Sequence, residues 1–89
     1  MDRARPTTTE TLIARHLEPD PAQPGPAEWR LKERAVPVWA IIGALTETGD
    51  NAPQVAADYG VSREAVAAAV TYYHQNRCLV EARLAANAA

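Results

Sequence analysis

The sequence predicts a mainly α fold: a small helix-turn-helix bundle of about four helices, with a short β-hairpin or extended arm at its N-terminal end. Three stretches carry that reading. Pro53 to Asn76, PQVAADYGVSREAVAAAVTYYHQN, reads as a helix, a tight turn and a second helix. Val36 to Thr48, VPVWAIIGALTET, has one apolar stripe at helical spacing. Glu28 to Ala35, EWRLKERA, alternates with the period of two that marks a strand.

The turn of the central motif falls at Gly60. Lacking a Cβ, Gly takes the left-handed conformation that ends a helix. Ser62 follows as the N-cap of the next helix, its hydroxyl placed to accept a bond from an orphan N–H. Glu64 lies in that first turn, where the helix dipole favours negative charge. Val55 and Tyr59 cover the inside of the first helix. Ala56 permits a close crossing, and Val61 and Val66 fill the angle between the helices. In the second helix the expected buried stripe is Ala65, Val66, Ala69, Val70 and Tyr73.

The opposite face carries Arg63, Glu64, Ala67, Ala68, Thr71 and Gln75. Such a motif could set its second helix in a DNA major groove. Arg63 is then the natural guanine reader, and Ala67 or Thr71 could touch a thymine methyl. Ser62, Arg63, Glu64, Ala67 and Thr71 are therefore candidate nucleic-acid contacts. The face is poor in hydrogen-bonding groups, and Ala67 and Ala68 suit close helix–helix approach equally well.

Residues 1–10 read as a flexible arm, in which Arg3 and Arg5 could reach a groove. Residues 11–89 form the single domain, extended from 11 to 35 and helical from 36 to 89. TLIARHLE, from Thr11, suits a helix or a short strand; the strand is preferred because turn chemistry follows in PDPAQPGP. In EWRLKERA, Trp29, Leu31 and Ala35 point one way, and Arg30, Lys32 and Arg34 the other. That basic face could track phosphates beside the motif. It could equally be a charged strand edge that blocks aggregation, and Glu28 and Glu33 dilute its field. The hairpin could close within one chain or across a dimer.

In the helix over 36–48, Pro37 fits the first turn and Val38, Ile41, Ile42 and Leu45 face inward. Gly43 implies close packing on a neighbour, and Gly49 ends the helix. Trp39 lies off the stripe, where it either closes the core edge or meets a partner. Asn51 and Gln54 have the spacing of a capping box. RCLVEARLAA, from Arg77, reads as a last helix with Leu79, Val80 and Leu84 inward. Tyr72 and His74 flank the stripe of the motif's second helix. Trp29, Trp39 and Tyr72 are the candidate protein contacts.

Composition narrows the function. An 89-residue chain makes one domain with a modest core. It has no Phe, and much of its 47% hydrophobic content is Ala, so a dimer or partner interface could supply part of its stability. A net charge of −2 argues against strong nonspecific nucleic-acid affinity, which rests on basic groups at phosphates. No apolar run approaches the roughly 20 residues of a membrane span. No hydrophobic segment follows the N-terminal arginines, and the single Cys cannot pair internally. The expectation is a soluble, cytoplasmic protein without membrane contact. No nucleophile and base, phosphate loop or acid pair comes together, so neither an enzyme nor a cofactor is expected. His74 and Cys78 could share a helix face, but two ligands with His16 remote make no metal site.

The runs RLKERAVPVWAIIGAL and VAADYGVSREAVAAAVTYY resemble the family known as domain of unknown function 433. Its members carry a basic extended segment leading into an Ile/Val-Pro-Val helix start, matched by Arg34 to Val38. An A-x-D-Y helix end follows, matched by Ala56 to Tyr59, and then a helix closing in an aromatic pair, matched by Tyr72 and Tyr73. The likeness spans about residues 28–75 and departs at Glu33-Arg34-Ala35, where the family usually shows Gly-Thr-Arg. It implies a homeodomain-like helical fold. It also implies a bacterial type II antitoxin that neutralises a PIN-like nuclease toxin and binds operator DNA as a homodimer. A protein-interaction or oligomerisation module with no DNA binding remains the alternative.

Overall fold

A computed structural model of the chain describes residues 8–88. It is mainly helical, with five α-helices among the described residues and a two-stranded antiparallel sheet. Helix α1 spans Thr8–His16 and runs straight into strand β1, Leu17–Glu18. After the proline-rich connector comes strand β2, Arg30–Leu31, flanked by single 3-10 turns at Pro26–Glu28 and Glu33–Ala35. Helices α2 (Val38–Glu47), α3 (Ala52–Tyr59), α4 (Arg63–Gln75) and α5 (Arg77–Ala88) complete the chain.

The N-terminal part departs from the expected extended segment. Thr8 to His16 is helix, which corrects both the arm as far as residue 10 and the strand reading of Thr11 to His16. Leu12 and Ile13 pack half-buried against the core, one turn before Leu17, which is 2% exposed. Glu10 in the first turn and Arg15 and His16 in the last suit the helix dipole. The strand survives only at Leu17 and Glu18, where Pro19 forces the preceding residue to extend. Arg3 and Arg5 lie outside the described residues.

The hairpin closes within the chain. Leu17 pairs with Leu31 and Glu18 with Arg30. The chain then turns at once: Leu31 N–H donates to Val36 O at 2.7 Å, and Val38 N–H to Trp29 O at 3.0 Å. This turn replaces the expected continuation of the strand to Ala35. Arg34 and Ala35 both sit in the left-handed region, at φ 58° and 53°. For residues with a Cβ that conformation costs of order 1 kcal/mol or more each, so the surroundings must hold it. Pairing of Val36 with Leu31 also delays the helix. Pro37 becomes the N-cap of α2 rather than a residue of its first turn.

The core follows the sequence from there. Val38, Ile41, Ile42 and Leu45 are all buried, and the αL residue Gly49 follows the end of α2. A Cβ built on Gly43 would stand 3.1 Å from Leu84 Cδ2, so α5 does approach α2 closely there. Asn51 caps α3 by accepting from Gln54 N–H at 3.2 Å. The reciprocal half of the capping box is absent, because the Gln54 amide donates to Asp58 Oδ1 at 2.7 Å instead. Leu79 faces outward at 47% exposure, against expectation, while Val80 is fully buried and Leu84 half-buried.

Candidate interaction face on the helix-turn-helix

The motif has the geometry its sequence requires. Gly60 adopts φ 68° and ψ 36° at the end of α3. Ser62 Oγ accepts from Ala65 N–H at 3.1 Å and so caps α4. Two further groups, from outside the motif, hold the turn. The Glu33 carboxylate accepts from Ser62 N–H at 3.0 Å and from Ser62 Oγ at 2.9 Å. Arg34 Nε donates to Gly60 O at 3.1 Å. The strained turn after β2 is thus clamped onto the helix-turn-helix, which accounts for its conformation. A side chain at position 60 would meet Arg34 as well as an unfavourable φ, since its Cβ would stand 2.8 Å from Arg34 Nε.

His16 joins this clamp from the end of α1. Its side chain is 12% exposed, with Nδ1 3.8 Å from Glu33 and Nε2 3.7 Å from Glu64. Neither distance is a hydrogen bond, and Nε2 has no hydrogen-bond partner among the described residues. His16 and Glu33 are the site residues that the sequence reading missed. Glu33 did carry a signal, as the one acidic break in the alternation of EWRLKERA. His16 carried none, because its importance comes from a contact with a helix some 50 residues on.

Helix α4 is flanked by α1 on one side and α2 on another, so its buried arc is wider than one stripe. Ala65, Val66, Ala68, Ala69 and Tyr72 are buried, while Val70 and Tyr73 are half-buried. Two expectations are corrected. Ala68 belongs to the packed surface rather than the outer face. Tyr72 rather than Tyr73 is the core tyrosine.

Tyr72 is 6% exposed and donates from its hydroxyl to Pro26 O at 2.7 Å. Burial pushes its pKa up to about 12. Trp29 stacks on it at 5.1 Å between ring centres. These two candidate protein contacts therefore occupy each other. The third, Trp39, is half-buried with the Arg83 guanidinium 4.5 Å above its ring. Arg83 is held there by Glu28 at 2.9 Å. Tyr73 donates to Glu81, which raises the tyrosine pKa and lowers that of the carboxyl.

Each cation of the basic segment has a partner within the fold. Arg30 pairs with Glu18 at 2.8 Å and lies 3.9 Å from Asp20. Lys32 Nζ donates to Ala14 O at 2.9 Å. Only Arg34 is brought to the motif, and it serves the turn there. The alternation is realised as strand only at Arg30–Leu31, so it could not place Lys32 and Arg34.

What remains open on α4 is a narrow ridge: Arg63, Glu64, Ala67, His74 and Gln75 are exposed, and Thr71 is half-buried. The Thr71 hydroxyl proton is already used, donated to Ala67 O at 2.9 Å. Arg63 has no ion-pair partner among the described residues. The ridge thus offers the Arg63 guanidinium and small side chains at Ala67 and Thr71, with His74 and Gln75 at its far end and the acids Glu33 and Glu64 at its start. No group of three or more metal-ligating side chains gathers among the described residues. None of their helices is long and apolar enough to cross a membrane. No family model, curated protein or solved structure matches the chain.

Proposed function

We propose that this is a cytoplasmic antitoxin that neutralises a PIN-like nuclease toxin by protein contact, acting as a homodimer with the helix-turn-helix as its scaffold. The observation that carries the protein-contact part is the character of the α4 ridge. Exposed Ala67 and the Thr71 hydroxyl, whose proton is already donated to Ala67 O, leave the middle of the ridge without a free side-chain donor and suit a closely packed partner. The acids at the start of α4 and the internal pairing of Arg30 work in the same direction, by weakening attraction to phosphates. The resemblance across residues 28–75 supplies the antitoxin role and the class of toxin. The exposed, unpaired Cys78 suits a reducing compartment.

The test is co-expression with the neighbouring genes. A toxin that co-purifies in fixed ratio, with growth rescued, is expected, and Ala67→Glu should abolish both. A complex indifferent to that change would remove the ridge from the interface.

A second reading, operator binding, rests on one observation: Arg63 is exposed and unpaired in the first turn of α4. Its test is a salt titration of DNA binding. Arg63→Ala should weaken specific binding by about 1–3 kcal/mol if the guanidinium reads a base. No salt-sensitive binding to any sequence would leave the protein-contact reading alone.

A further inference from the structure

Lys32 is the only lysine in the sequence. It follows β2 directly and is exposed, yet both of its donors are turned to the end of α1. Its N–H donates to His16 O at 2.8 Å and its Nζ to Ala14 O at 2.9 Å. Those carbonyls lie in the last turn of α1, where helix oxygens have no partner within the helix and the dipole favours a cation. Helix α1 buries no residue of its own completely. One solvent-reachable amine is thus a principal fastening of that helix.

The other permanently charged cations of the chain are arginines, which keep their protons and offer no lone pair. A lysine amine offers one once it deprotonates. We propose that Lys32 is an acylation site that takes its acyl group from an acyl phosphate, and that the modification releases α1. The free amine attacks the acyl carbon. A C–N bond forms, the C–O bond to phosphate breaks, inorganic phosphate leaves with the bonding pair, and the amine proton passes to water. A donor of that class carries its own leaving group and needs no activating residues from the fold. While Nζ is held as an ammonium donor to Ala14 O it has no lone pair, so the reaction proceeds when α1 is open. The product amide lacks the charge that draws the helix end back, so acylation traps the open state. Opening uncovers the side of α4 on which α1 packs, beside Glu64 and the start of the ridge. The inference rests on the attachment of α1, not on the partner proposed above.

Treatment of the whole chain with acetyl phosphate tests this, read by mass spectrometry and by amide hydrogen exchange. Peptide mapping should place an acetyl group on Lys32 as well as on the chain's α-amine. In the acetylated protein the amides of α1 should exchange about three- to tenfold faster, as for loss of one charge-assisted bond at a helix end, with α2 and α4 unchanged. Lys32→Gln, which removes the charge without reagent, should show the same acceleration. Lys32→Arg keeps a charged donor and can take the acetyl group only at the α-amine, so treatment should leave its α1 exchange as it was.

An unmodified Lys32 in protein acetylated at its α-amine would overturn the site. Acetylated Lys32 with α1 exchange unchanged would overturn the release, as would an equal acceleration in α2 and α4, which would mark a global loss of stability. The same acceleration in treated Lys32→Arg would assign the effect to the α-amine and overturn the inference as well.

Discussion

Helices α1 and α2 flank the same helix, α4, and are almost equal in length at nine and ten residues. They are held by different forces. Helix α2 buries Val38, Ile41, Ile42 and Leu45, two of them completely excluded from solvent. Helix α1 has no buried residue. It contributes half-buried Leu12 and Ile13 and is fastened at its end by Lys32, which donates from N–H to His16 O and from Nζ to Ala14 O. His16 adds its position between Glu33 and Glu64. Removing large apolar groups from water stabilises by about 25 cal/mol per Å², whereas exposed polar bonds are readily replaced by water. The difference predicts that α2 belongs to the cooperative core and that α1 opens separately, as a brace beside the candidate interaction face.

The largest test of that contrast is a pair of truncations. Ile41→Ala should cost about 2–5 kcal/mol, as buried Ile truncations do, enough to threaten folding of so small a domain. Leu12→Ala should cost about 1 kcal/mol, in line with partial burial. Urea unfolding monitored by circular dichroism measures both, and equal losses would break the contrast.

A next, smaller effect is expected on α4, on which both helices pack. Ala68 is fully buried on α4, so Ala68→Leu should cost about 1–3 kcal/mol by overpacking. Urea unfolding measures it as a lower midpoint.

Glu33→Ala sharpens the role of the clamp. It removes the acceptor of two hydrogen bonds from Ser62 and should cost about 1 kcal/mol, since the carboxylate is partly solvated. It should also loosen the end of α1, visible as faster exchange near His16.

The connector is tested by alkali. Tyr72 has a folded pKa of about 12 against an ordinary value of 10.0, because burial disfavours its phenolate. Its contribution is therefore complete below pH 10 and is lost as the pH rises toward 12. Tyr72→Phe should lack that loss of stability, though it leaves Pro26 O without its bond.

Gly43→Ala should have the smallest effect, a change within about 1 kcal/mol. Gain in helix propensity is opposed by the approach to Leu84 Cδ2, a side-chain end that can shift.

Legibility in the sequence followed the same division. The stripe of α2, the αL turn at Gly60 and the caps at Asn51 and Ser62 were all readable, because each is set by residues within one or two turns of each other. Helix α1 was not, since Leu12, Ile13 and Leu17 fit a strand or a helix until a partner is chosen. The exchange of Tyr72 and Tyr73 has a similar origin: Tyr72 is covered by Trp29 and bonded to Pro26 O, both distant in sequence, and nothing within α4 announces it. For the candidate site, the exposure of Arg63 and Ala67 was legible from helical period. The clamp of Glu33 and Arg34 was not, because it depends on two left-handed residues that no local signal favours.

Native-state hydrogen exchange across the whole chain tests this division most directly. The account predicts that amides of α1 exchange through a local opening well below the free energy of global unfolding, while those in the middle of α2 and α4 exchange only with the whole domain. Protection in α1 equal to that in α2 would contradict it, and would make α1 a full member of the core rather than a brace.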